Sequence, residues 1–126
     1  MFNDTVDFQE THDEVNFGVY IIECEDGSYY TGASASVRNR LKAHFGGYGA
    51  RHTQVNKPEK VIFWLGGLPD MKAAMRAEAF IKSGGRGLKD LLATGNDAFR
   101  YVVWRYATYN PPKFERKKVK KVKNTD

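Results

Sequence analysis

Five side chains with chemistry of their own are spaced along residues 20–78: Tyr20, Tyr30, Arg40, His44 and Glu78. Arginine offers a planar fork to phosphate oxygens and keeps its proton, histidine titrates near neutral pH, and a glutamate oxygen suits a hard cation such as Mg²⁺. Hydrolysis of a phosphodiester needs an activated water and stabilisation of the charge that develops on oxygen. The set therefore has the residue types for such a reaction.

Each of these residues also has a plainer explanation. A tyrosine on a strand usually serves packing, and Arg40 could be a solvated helix charge. His44 could bond only the neighbouring turn. Glu78 could be a surface acid paired with Lys82, four residues further along a helix. Whether these residues form a catalytic site therefore depends on whether the secondary-structure elements bring them together.

A β-hairpin is predicted for the tyrosines. Residues 17–24 and 29–32 are rich in β-branched and aromatic side chains, which favour strands. Asp26 and Gly27 lie between them and favour a tight type I′ turn. Nine residues separate Tyr20 from Tyr30, so cross-strand pairing could bring both phenols close on one face.

A helix is predicted over 37–45, capped by Ser34 or Ser36. Arg40 and His44 lie four residues apart and share one of its faces. Glycines from Gly46 onward end this helix, and a loop continues to Pro58.

A third strand over 60–65 is almost continuously hydrophobic, which indicates a central position. Asp70 caps a second helix, 71–82, that carries Glu78, and residues 83–87 break it. Residues 88–93 form one more short helix.

Residues 98–106 are predicted as an extra strand, so Tyr101, Trp104 and Tyr106 are assigned to a core strand in preference to base stacking. The fold class is α/β of the α+β kind, with a small three-stranded antiparallel sheet flanked by helices in the order ββαβαα. The chain divides into a mobile acidic arm (1–16), a domain (17–95), an extension (96–112) and a basic tail (113–126).

Charge is distributed unevenly along the 126 residues, whose formal net charge is +5. The arm 1–16 has five acids and no lysine or arginine, whereas residues 113–126 have seven lysines and arginines against two acids. Such a tail suits a polyanionic partner, or else is only solvated. The single cysteine, Cys24, sits in an apolar stretch and predicts a buried thiol. No apolar run reaches the ~20 residues that span a bilayer, so cytoplasmic localisation and no membrane partner are expected.

The motifs in this order resemble the GIY-YIG nuclease superfamily, in its small single-domain form. Gly18-Val-Tyr20 and Tyr30-Thr-Gly32 stand for the two tripeptides, and Arg40 follows Gly32 by eight residues. The likeness continues through His44, residues 49–53 and Glu78, over roughly half of the chain. Val19 and Thr31 depart from the family name, and no residue matches the asparagine that many members carry beyond the glutamate.

The resemblance implies a DNA endonuclease, of the kind used in DNA repair or restriction, with Mg²⁺ (or Mn²⁺) held by Glu78. It assigns Tyr20 as general base or proton relay and Tyr30 as its partner, with Arg40 on the phosphate; His44 is a competing base. Further contacts with nucleic acid are expected from two groups of residues: Arg51, His52 and Thr53 in the loop, and Lys117, Lys118, Lys120 and Lys121 in the tail.

Two other functions stay open. The fold could serve as a non-catalytic nucleic-acid-binding or scaffold module, which needs only a basic surface. Alternatively, the chain could be a subunit that takes its specificity from a protein partner, docked through the acidic arm or the basic tail.

Overall fold

The sheet has its first strand at the centre. In the computed structural model, which describes residues 17–109, the strand order is β2-β1-β3 and both pairings are antiparallel. The strands are β1 (Gly18–Cys24), β2 (Tyr29–Ser34) and β3 (Pro58–Leu65). The predicted three-stranded antiparallel sheet is confirmed. The predicted central position of the third strand is wrong: β3 is an edge strand and exposes Glu59 and Lys60.

The hairpin between β1 and β2 is present, but its turn differs from the predicted type I′. Among residues 17–109 only glycines have positive φ, so Asp26 does not adopt the conformation that a type I′ turn requires. In this turn only Gly27 has a positive φ, of 86°. Its N–H donates to the Cys24 carbonyl across 2.9 Å, as in three-residue loops that end in a left-handed glycine.

Five helices complete the described part of the chain. They are α1 (Val37–Phe45), α2 (Arg51–Val55), α3 (Met71–Ser83), α4 (Gly85–Ala93) and α5 (Asp97–Thr108). The hydroxyl of Ser36 caps α1 and the carboxylate of Asp70 caps α3, which confirms both predicted caps. The short helix α2 replaces part of the predicted loop, and α4 begins three residues earlier than predicted.

The extra strand predicted over 98–106 is wrong, because this segment is the helix α5. Asn96 caps it by accepting from the Ala98 N–H at 2.7 Å. Phe99, Val103 and Ala107 recur every four residues and pack into the core beside α3. Packing therefore decides the conformation over the strand preference of the aromatic and β-branched side chains.

Side chains of β1 alternate between two cores. Val19 and Ile21 face the larger core, which includes buried residues of α3, α4 and α5. Tyr20, Ile22 and Cys24 face the smaller one, which is closed by α1. Cys24 is buried, as predicted.

Predictions for the acidic arm (1–16) and the basic tail (113–126), including the four tail lysines, lie outside the described residues. Within 17–109, no helix is long and apolar enough to cross a membrane.

Candidate active site

The two tyrosines lie on the same face of the hairpin. The register pairs Tyr20 with Gly32 and Ile22 with Tyr30, so the phenols are displaced by one pleat along the ladder. Their ring centroids are 6.5 Å apart. The Tyr20 ring passes directly over Gly32, where an added Cβ would overlap the phenol oxygen. Gly32 is therefore needed for the position of the Tyr20 ring.

His44 binds Tyr20 from the last turn of α1. The Tyr20 hydroxyl and His44 Nε2 are 2.8 Å apart, and both side chains are buried. On the other side of the ring, Nδ1 lies 2.7 Å from the Thr53 hydroxyl, which itself bonds the Ala50 carbonyl at 3.0 Å. Tyr20, His44 and Thr53 thus form one buried hydrogen-bonded series, hereafter the Tyr20 series.

The directions of these hydrogen bonds follow from the last one. A carbonyl only accepts, so the Thr53 hydroxyl donates to Ala50 and must accept from His44. His44 Nδ1 therefore carries the proton, and Nε2 of the neutral ring accepts from the Tyr20 hydroxyl. Thr53 sets the tautomer that offers a lone pair to the phenol.

Electrostatics hold both groups of the buried pair neutral. Burial, and then the neighbouring Tyr30, raise the pKa of Tyr20 to about 12; Arg40 opposes this increase and Glu78 adds to it. Burial, and then the charge of Arg40, lower the pKa of His44 to about 4. A free phenolate is therefore disfavoured at neutral pH, and His44 is neutral, with a lone pair on Nε2 but with weakened basicity.

A second hydrogen-bonded series lies beside Tyr30. The Ser28 hydroxyl donates to the Asp26 carboxylate across 2.6 Å, so it must accept from His52 Nε2, which is 2.9 Å away. The Tyr30 ring lies close to both histidines, with its centroid 5.2 Å from that of His44 and 5.7 Å from that of His52. His52 thus borders the site with a fixed ring.

Arg40 and Glu78 approach the same phenol from different helices. Arg40 is half-buried on α1, and Glu78 lies on α3 with 24% of its side chain exposed. Both are close enough to shift the pKa of Tyr20 in opposite directions. The Glu78 carboxylate also pairs with Lys82 at 3.0 Å. Glu78 therefore forms the predicted ion pair and also lies near Tyr20.

The three loop residues predicted to contact nucleic acid occupy different places on α2. Arg51 is exposed and His52 half-buried. Thr53 is 2% exposed and lies behind His44, which does not suit direct contact with a substrate. No periodic pattern in the sequence relates position 53 to position 44, so the part of Thr53 in orienting His44 is visible only in the structure.

Gly49 also belongs to the site, which sequence reasoning did not show. A Cβ at this position would overlap His44 Nδ1. The ring packs against backbone here, so only glycine leaves room for the Tyr20 series.

The donor set for a cation consists of one carboxylate. Among residues 17–109, no three His, Cys, Asp or Glu side chains lie close enough together to hold a metal ion. A single partly exposed carboxylate fits Mg²⁺, which commonly binds through one or two carboxylates, substrate phosphates and water.

The sheet and helices place a buried Tyr20 and a half-buried Tyr30 on one hairpin, with arginine and glutamate on the flanking helices, as expected for a nuclease-type domain. The profile of the GIY-YIG catalytic domain matches residues 16–87, and the chain belongs to this family.

Similar proteins include the UPF0213 proteins of three bacteria. That of Streptococcus pneumoniae serotype 4 is 38% identical over 78 residues, 62% of this chain and 78% of that protein. That of Halalkalibacterium halodurans is 38% identical over 81 residues (64% and 84%), and that of Neisseria meningitidis serogroup C is 40% identical over 67 residues (53% and 72%). No solved structure matches the chain significantly.

Proposed function

We propose that this protein is a metal-dependent endonuclease that hydrolyses phosphodiester bonds in DNA. The observation that carries the proposal is the Tyr20 series, in which a buried phenol donates to a neutral histidine beside Arg40 and Glu78. A module that only binds nucleic acid has no use for such a directed proton path.

Tyr20 acts as a relay in this proposal. Its high pKa disfavours a standing phenolate, so the phenol passes its proton to His44 Nε2 as it takes one from the attacking water. The imidazolium that forms keeps its Nδ1–H bond to Thr53. The interpretations of Tyr20 as relay and His44 as base thereby become two steps of one transfer.

Arg40 binds the phosphate in this proposal and also affects the pKa of His44. Its positive charge is one of the causes that lower the pKa of His44. A phosphate anion bound to the guanidinium offsets that charge, so substrate binding makes His44 a stronger base. Proton transfer is then favoured when a substrate is in place.

Glu78 is the residue that would hold Mg²⁺, or Mn²⁺ in its place. A bound ion of this kind neutralises charge on the phosphate and stabilises the leaving oxygen. The ammonium of Lys82, now paired with the carboxylate, is free to turn to solvent or to a phosphate when the ion binds.

The DNA strand is expected to pass Tyr30 toward α2. There Arg51 is exposed and is a proposed phosphate contact, whereas His52, held through Nε2 by Ser28 and Asp26, is proposed to border the strand. The tail lysines add sequence-independent attraction. We place this activity in the cytoplasm, in a role such as DNA repair or restriction.

The test is cleavage of labelled single-stranded, duplex and branched DNA in Mg²⁺, Mn²⁺ or EDTA. We expect the wild type to cut at least one substrate in metal, and Glu78→Gln to bind that substrate without cutting it. Glu59→Gln, which changes an exposed acid on β3, is the matched control and should cut normally. Retardation of intact DNA, equal in EDTA and in metal, would instead identify a non-catalytic binding module.

A further inference from the structure

An exposed aromatic face lies on α5, whose opposite side packs into the larger core. Five residues, here called the α5 face, line a groove of about 390 Å³: Tyr101, Val102, Arg105, Tyr106 and Tyr109. The three tyrosines are each about half exposed (58%, 52% and 49%), and Trp104 beside them is 40% exposed. Contiguous exposed apolar surface of this kind marks binding sites.

Neighbouring groups hold these rings in place. Tyr106 stacks on Phe80 of α3 with centroids 4.6 Å apart, Tyr101 lies 5.9 Å from Trp104, and the Arg105 guanidinium sits 4.9 Å over Tyr109. The exposed sides of the rings are therefore oriented before anything binds. A ligand that stacks on them loses little affinity to ordering.

The α5 face carries a positive charge of its own. Arg105 lies within it, and the acid of α5, Asp97, is in the first turn, before the face begins. The sequence that follows Tyr109 carries seven lysines and arginines in residues 113–126. At ~3.5 Å per residue, chain connectivity alone keeps Lys113 within roughly 14 Å of Tyr109.

We propose that the α5 face binds single-stranded nucleic acid by stacking bases on Tyr101, Tyr106 and Tyr109, with Arg105 as the cation of the face. The lysines and arginines of 113–126 add electrostatic attraction but are not part of the site. Flat rings together with cations are the combination that accepts unpaired bases without sequence preference. A second copy of this chain is a poorer occupant, because it would bring two basic tails together. Duplex DNA is also poorer, because its bases are already stacked on each other.

The site lies outside residues 16–87, which match the family profile. It therefore goes beyond the proposed cleavage, and binding measured in EDTA tests it whether or not the protein cuts.

The experiment is titration of the full chain into labelled oligothymidylate in EDTA, followed by fluorescence anisotropy over a range of salt concentrations. Tyr101→Leu and Tyr106→Leu remove a ring but keep an apolar side chain, and each should weaken binding roughly five- to a hundredfold. Their salt slope should equal that of the wild type, since no phosphate contact is lost. Tyr101→Phe, which keeps the ring, should bind within about twofold of the wild type.

Deletion of residues 110–126 tests the contribution of the basic tail separately from that of the rings. It should flatten the salt slope, and Tyr101→Leu in the shortened chain should still weaken binding. Unchanged affinity of both leucine variants overturns the proposal. So does a wild-type dimer in sedimentation that Tyr101→Leu dissociates, because the face would then join two copies. Loss of the Tyr101→Leu effect in the shortened chain also overturns it, since the tail alone would then bind.

Discussion

The hydroxyl of Tyr20 donates to Nε2 of His44 across 2.8 Å, deep enough that both side chains are at most 1% exposed. The bond needs a neutral imidazole with its proton on Nδ1, and the Thr53 hydroxyl enforces that tautomer from the opposite side. The proton acceptor of the site is thus set by a residue that lies out of reach of any substrate.

Thr53→Val should lower the turnover rate in the proposed cleavage more than it alters KM. Valine cannot accept from Nδ1–H, so His44 is free to move its proton to Nε2 and cease to accept from Tyr20. We expect a loss of roughly tenfold to a hundredfold, up to the low end of the ~10²–10⁴-fold that general base catalysis contributes. Single-turnover cleavage under saturating DNA measures it.

Thr53→Ser is the control, because serine keeps the hydroxyl and should restore most of the rate. Equal rates for the valine and serine variants would show that Thr53 serves packing alone.

Gly49→Ala should displace His44 and reduce cleavage. The new Cβ would overlap Nδ1, so the ring must move and the bond to Tyr20 lengthens or breaks. Overpacking of a filled site costs about 1–3 kcal/mol of unfolding free energy, which urea denaturation measures. Gly87→Ala is the matched control: a Cβ there meets nothing within 4 Å, and alanine favours the helix. If Gly49→Ala is as stable and as active as Gly87→Ala, the contact does not constrain the site.

Much of this site is predictable from sequence, because its parts lie in elements with clear local signals. Alternating strand residues around Asp26-Gly27 place Tyr20 and Tyr30 on one hairpin, and the four-residue spacing of Arg40 and His44 places them on one helix face. Asp70 marks where the helix that carries Glu78 begins. Each of these inferences depends on neighbours within a few residues.

The other features depend on contacts between distant segments. β3 is as hydrophobic as a central strand, yet it lies at the edge because β1 pairs on both sides. Aromatic and β-branched residues in 98–106 favour a strand locally, and only the packing of Val103 and Ala107 beside α3 makes α5. Likewise, the hydrogen bond between His52 and Ser28 joins residues 24 positions apart, and no local sequence pattern predicts it.

Stability should fall in mild acid because of His44. Its pKa in the folded protein is about 4, below the ~6.5 of an exposed histidine, so the unfolded chain binds the proton more readily. The stabilisation is complete above about pH 6.5 and is lost progressively as pH falls toward 4, up to on the order of 3 kcal/mol. Urea denaturation at a series of pH values measures the loss.

His44→Gln removes the titrating ring, so its stability should change less over this interval than that of the wild type. His52→Gln, which alters the partly exposed histidine, should keep most of the wild-type dependence. The interpretation fails if His44→Gln and the wild type lose stability in parallel.

Thr31→Val and Thr53→Val should change stability in opposite directions, although the substitution is the same. Thr31 is 2% exposed and its hydroxyl has no hydrogen-bond partner among the described residues, so a methyl group in its place should raise the free energy of unfolding by about 1 kcal/mol. At position 53 the same change leaves the His44 N–H unpaired and should cost about 1–3 kcal/mol. Urea denaturation at pH 7.5 measures both differences. Thr31 faces the core opposite the phenols, so Thr31→Val should also leave cleavage unchanged; destabilisation by both valines would mean that the Thr31 hydroxyl is satisfied, for example by a buried water.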